Sequence, residues 1–250
     1  MLKIERREAG RNPRPGMSAS RKRIMMPTRP RRIAGAALAV SLLAAVPARA
    51  ASESVLYQFQ NGRDGAYSFT GLTELDGTLY GGTWGGGNAH GTVFALTKDG
   101  KQKVLHAFDI GAGPYVGNLI NVDGTFYGTT YYGGTGGCIS DYADGCGTIF
   151  TVTPTGSYKT LFNFHGSSDG EGAVGLLKVG NEFFGTTALG GAANAGTIFK
   201  VSTTGHLKTL YTFKGGSDGA NPFGTLINVG GTLYGTTEWG GSATMAQYSR

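Results

Sequence analysis

Residues 118–164 contain NLINV (118–122), DG, FYGTT (126–130), a loop, GTIFTVT (147–153), PTG and then TLFNF (160–164). Each run is short and rich in aromatic and β-branched residues, and turn chemistry separates each from the next. Asp123-Gly124 is the kind of pair that closes a two-residue hairpin. The stretch therefore predicts four consecutive antiparallel strands, laid out in a sheet in chain order.

The same four runs recur along the chain. The last type appears as VLYQF (55–59), VLHAF (104–108), TLFNF (160–164) and TLYTF (209–213). The FYGTT type appears as LYGGT (79–83), FFGTT (183–187) and LYGTT (233–237). The GTIFTVT type appears as GTVFALT (91–97) and GTIFKVS (196–202), and the first type as LTEL (72–75), LLKV (176–179) and TLINV (225–229). The terminal Phe of the TLFNF type falls at 59, 108, 164 and 213, giving steps of 49, 56 and 49 residues. An inserted loop between Cys138 and Cys146 accounts for the long step.

Four strands in about 49 residues fit a propeller blade better than a solenoid coil, which is shorter and has fewer turns. The expected fold is all-β and β-propeller-like, with four four-stranded repeats at about 54–100, 101–156, 157–205 and 206–242, the last incomplete. The chain would open on an outermost strand at 55–59. The third strand of the fourth repeat is expected near residue 245, but residues 243–250 (ATMAQYSR) have lost its pattern. A truncated fragment of a longer array is one reading of that tail.

Residues 1–50 hold 12 of the 22 Lys and Arg and only 2 of the 16 Asp and Glu. The remainder carries a formal charge of −4, so the basic character belongs to the leader and no nucleic-acid partner is implied. Arg29, Arg31 and Arg32 precede an apolar run from Ile33 to Val46, followed by Ala48-Arg49-Ala50. That is the layout of a secretory signal peptide, with cleavage expected after Ala50. The run is short for a membrane span, and no span is expected in the mature chain of residues 51–250. The protein is expected outside the cell, on its surface or in the periplasm. Such a compartment permits a disulfide, and Cys138 and Cys146 are expected to form one.

GTVFALT, YGTT, the paired glycines and SDGA together resemble the GloVer (Gloeobacter–Verrucomicrobium) repeat of exported bacterial proteins, over about residues 54–241. The resemblance implies an extracellular or surface location, often with a C-terminal sorting anchor. It supplies no catalytic residues.

Two loop types are expected on one face. One carries Trp84, Tyr131, Tyr132 and Trp239 beside paired glycines; the other carries Asp64, Asp169 and Asp218, each followed by Gly. Flat rings and carboxylates on a rim suit a sugar. Asp before Gly is also ordinary turn chemistry, in which the carboxylate accepts nearby backbone N–H groups. The histidines at 90, 106, 165 and 206 form no metal spacing, and no phosphate loop, G-x-S-x-G or H-E-x-x-H occurs. The sequence points to no cofactor and no metal. It favours a non-enzymatic binding or display module, whose partner is a carbohydrate or another cell-envelope component. A carbohydrate-active propeller enzyme is the alternative.

Overall fold

The computed structural model describes residues 2–4, 54–88, 90–109, 116–139 and 144–240. The apolar run 33–46, the cleavage position after Ala50 and the tail 243–250 lie outside the described residues. The strands are β1 (Leu2–Ile4), β2 (Thr73–Leu75), β3 (Thr78–Thr83), β4 (Thr92–Thr97) and β5 (Gln102–Ala107). Next come β6 (Ile120–Val122), β7 (Thr125–Thr130), β8 (Thr148–Val152), β9 (Tyr158–Asn163) and β10 (Glu171–Val179). The last are β11 (Glu182–Leu189), β12 (Thr197–Ser202), β13 (Leu207–Thr212), β14 (Ile227–Val229) and β15 (Thr232–Gly235).

They form three four-stranded antiparallel sheets in the orders β2-β3-β4-β5, β6-β7-β8-β9 and β10-β11-β12-β13, and a three-stranded sheet, β1-β15-β14. We number these sheets one to four in the order of their inner strands β2, β6, β10 and β14. Within each complete sheet the order is that of the chain, as hairpin connections require. Asp76-Gly77 and Asp123-Gly124 both turn with positive φ at the two central residues, the conformation whose twist matches the flanking strands.

Both faces of sheets two and three carry core. Phe126 faces a cluster with Tyr80, Val93 and Phe108 of sheet one, while its neighbour Tyr127 faces a cluster with Phe183 and Phe199 of sheet three. Phe183 and Phe184 divide the same way between the second cluster and a third that holds Leu226 and Leu233 of sheet four. Alternation along a strand thus sends adjacent aromatics into adjacent cores. Tyr80 meets Phe126 at 4.2 Å and Tyr127 meets Phe183 at 4.6 Å between ring centroids.

A second aromatic contact joins the ends of β5 and β9 to the sheet that follows each. Phe108 packs edge-on against Phe150 at 5.7 Å, and Phe164 against Phe199 at 5.2 Å. Phe59 meets Phe94 in the same way at 5.2 Å. Residues 55–59, however, form no strand, contrary to the expectation from the sequence. A strand needs a partner ladder, and VLYQF has none, although Phe59 keeps its aromatic contact.

Pairs of buried threonines tie β3 to β4, β7 to β8 and β11 to β12. The hydroxyls of Thr83 and Thr92, Thr130 and Thr148, and Thr187 and Thr197 lie 2.9, 2.9 and 2.8 Å apart. In each pair the backbone N–H of the second residue donates to the hydroxyl of the first.

The disulfide Cys138–Cys146 is formed. Sequence position suggests a staple on an inserted loop, detached from the core. Instead Cys146 is fully buried among Ile149, Phe164, Ala173 and Phe199, so one end of the staple is core between sheets two and three. No helix among the described residues is long and apolar enough to cross a membrane.

Candidate functional site

The segments leading into the four inner strands converge on one cavity of about 320 Å³. Phe69, Val116, Ala173 and Phe223 line it, and each stands three residues before the first Leu of its inner-strand run: Leu72, Leu119, Leu176 and Leu226. Tyr67, Trp84 and Tyr131 complete the aromatic lining. Thr70, Asn118 and Thr225 supply hydroxyl and amide groups.

The rings form two groups. Tyr67 and Phe69 lie nearly parallel, 6.5 Å apart, with Trp84 tilted against them at 6.2 and 5.9 Å. Tyr131 and Phe223 lie nearly parallel at 6.0 Å. Tyr67, Phe69 and Phe223 are 63%, 71% and 47% exposed, so large apolar rings face solvent where a folded chain would otherwise hide them. Tyr131 is buried, and glycine at 172 makes room for its ring: a Cβ there would lie 2.6 Å from Tyr131 Cζ.

The four aromatics singled out in the sequence therefore separate. Trp84 and Tyr131 directly follow the last Thr of β3 and β7 and face the cavity. Tyr132 and Trp239 stand one residue further from the corresponding threonines and, by alternation, do not line it. Tyr132 meets the edge of Tyr131 at 4.7 Å. Trp239 is exposed and exchanges two backbone hydrogen bonds with Ala220. Tyr67, Phe69 and Phe223 had not been singled out. The signal for Phe69 and Phe223 is the constant offset from the inner-strand Leu, which two aliphatic residues at 116 and 173 conceal; Tyr67 lies outside that offset.

The three aspartates occupy a different setting. Asp64 accepts the backbone N–H of Gln60 and of Gly62, and the hydroxyl of Tyr57 donates to it at 2.9 Å. Desolvation pushes its carboxyl up, but these donors together outweigh that and hold it below the ordinary carboxylate value. Asp218 accepts the N–H of Lys214 and the hydroxyl of Tyr211. Asp169 accepts the N–H of His165. Where Tyr57 and Tyr211 supply a hydroxyl, the third loop has Phe162, which has none. There His165 Nδ1 lies 3.0 Å from the second carboxylate oxygen instead. The carboxylates close turns after the outer strands, and none lines the aromatic cavity.

The Asp218 carboxylate, then burial, push the Tyr211 phenol up to about 12. A phenol raised above its unfolded value of about 10 adds stability that is complete below pH 10 and lost as pH rises toward 12. In Asp218→Asn the phenol should titrate nearer 10, as ultraviolet absorbance at 295 nm would record. An unchanged titration would mean that Asp218 does not hold this proton.

Among the described residues no group of His, Cys, Asp and Glu could hold a metal ion. The profile of the Gloeobacter/Verrucomicrobia repeat matches residues 45–248. The chain belongs to the Gloeobacter/Verrucomicrobia repeat family. No curated protein matches it. Among solved structures it is similar to Bacteroides ovatus Xyloglucan PUL GH43B, with 19% identity and a TM-score of 0.38. That likeness covers 69% of this chain and spans 37% of the other.

Proposed function

We propose that this family member is an exported binding module of β-propeller-like form, and that its aromatic cavity holds a ring of a carbohydrate of the cell envelope or its surroundings. The observation that carries the reading is the pair of ring groups, Tyr67–Phe69–Trp84 and Tyr131–Phe223, around one cavity. A pyranose presents C–H faces that stack on such rings and hydroxyls that reach Asn118, Thr70 and Thr225. The lining is aromatic, aliphatic, hydroxyl and amide in character. Glycoside hydrolysis asks for two carboxyl groups flanking the bond, so this lining suits binding rather than bond cleavage.

In the same reading the sheets are blades, and their lead-ins meet near a common axis. Residues 1–50 are the export leader, removed after Ala50. The disulfide and the family both accord with an oxidising destination outside the cytoplasm.

A glycan array with the folded protein tests this. Trp84→Ala should weaken binding of the preferred glycan by about 1 kcal/mol or more, with little change in melting temperature. Tyr131→Ala should lower the melting temperature, because that ring is packed. A well-folded protein that binds no glycan would remove the carbohydrate reading.

A further inference from the structure

In each complete sheet the third strand lays a Phe over a glycine of the second. Phe94 pairs with Gly81, Phe150 with Gly128 and Phe199 with Gly185. A Cβ on any of these glycines would lie 2.5–2.9 Å from a ring carbon of that Phe. The third-strand Phe also receives the edge of a preceding Phe: Phe108 and Phe164, which directly follow β5 and β9, and Phe59, which closes the unpaired run 55–59.

Sheet four has the same receiving parts. Gly235 stands at the glycine position, and among the described residues only Leu226 comes within 4 Å of its Cβ direction. Phe213, which directly follows β13, borders a hollow with Ile198, Leu226, Gly235 and Thr237. Thr237 occupies the position of Thr83, Thr130 and Thr187, each of which meets a third-strand Thr. Floor, wall and hydroxyl partner are thus prepared for a Gly-Thr-Ile-Phe type of strand.

The third place in this sheet is held by β1, antiparallel, with residue 2 opposite Gly235 and residue 4 opposite Leu233. That is the register of Phe199 on Gly185 and Val201 on Phe183. The edge of β15 therefore accepts an added strand in the same register as the internal ladders.

We propose that the outer edge of β15 is a strand-acceptor site for another polypeptide carrying the third strand of this repeat, Gly-Thr-(Ile/Val)-Phe-x-(Val/Leu), whose Phe fills the hollow between Gly235 and Phe213. Backbone pairing supplies affinity and the Phe pocket supplies selectivity, as in other cases of strand addition. Ile227 and Val229 of β14 agree with an extended array. Their counterparts Ile120 and Val122, and Leu177 and Val179, pack against a following sheet, whereas these two are exposed.

The test uses a fluorescent peptide with the sequence of Gly196–Ser202, GTIFKVS, and a version with Phe199→Ala. Each is titrated into the full chain and into a full chain carrying Leu2→Pro and Ile4→Pro, which cannot hold β1 in the ladder. Saturable binding to the double variant, at least 10-fold weaker for the alanine peptide, with slowed amide exchange in β15, is the expected result. No saturable binding to either chain, equal binding of the two peptides, or protection confined to other strands would overturn the proposal.

Discussion

Phe150→Ala is expected to lower stability by about 3–5 kcal/mol, the cost of emptying a large fully buried site. The ring has no exposed surface. It touches Phe108 at the end of the preceding outer strand and lies 5.4 Å from Tyr158, with the two ring planes inclined by 30°. Its far side rests on Gly128, whose missing Cβ would sit 2.6 Å from the ring. These neighbours come from sheet one and from the two strands of sheet two that flank β8, so the cavity cannot close by shifting one side chain. Urea denaturation would measure the loss. A change below about 1 kcal/mol would mean that the core between these sheets collapses around the gap. Phe69→Ala is the matching control: its ring is mostly exposed, so the same deletion should leave stability nearly unchanged.

Thr187→Val should cost about 3 kcal/mol for a different reason. Valine matches threonine in shape, so no cavity forms. What is lost is the hydroxyl that accepts the N–H of Thr197, pairs with the Thr197 hydroxyl and donates to the carbonyl of Leu189. Thr187 and Thr197 are fully buried, so water cannot replace the missing partner. A buried polar group left unsatisfied costs about 1–3 kcal/mol, and more than one group is stranded here. Thr187→Ser, which keeps the hydroxyl, should recover most of the loss in the same denaturation experiment. Equal losses for valine and serine would assign the effect to packing.

Much of the architecture was legible because each sheet states its own pattern. YGTT followed by GTIF told which strand pairs with which, and Asp-Gly placed the hairpins. The aspartates were legible too: their position before Gly, in a polar cluster after an outer strand, matches the turns that they close. Residues 55–59 were not, because VLYQF reads as a strand by composition while pairing depends on a neighbour. Cys146 was hidden by its place at the end of an insertion, although GCGTIF runs directly into β8 and draws it into the core.

The cavity was half legible. Trp84 stood out as a large ring beside glycines, and it does line the cavity. Trp239 stood out for the same reason but sits one residue later, on the opposite side of the strand's alternation. Phe69 and Phe223 were concealed because the inner-strand run is the weakest of the four in sequence. Aligning LTEL, NLINV, LLKV and TLINV on their leucines brings both rings to one column.

The division of Phe126 and Tyr127, and of Phe183 and Phe184, between neighbouring cores has a mechanical consequence. Each interior sheet is clasped on two sides, so a pull on one end cannot loosen it before the terminal sheet has yielded. Under tension such an array should part in steps rather than all at once. Each step would release about 49 residues, or roughly 170 Å of extended chain. A chain built this way would absorb mechanical work in instalments, with the sheets farther from the pull still folded.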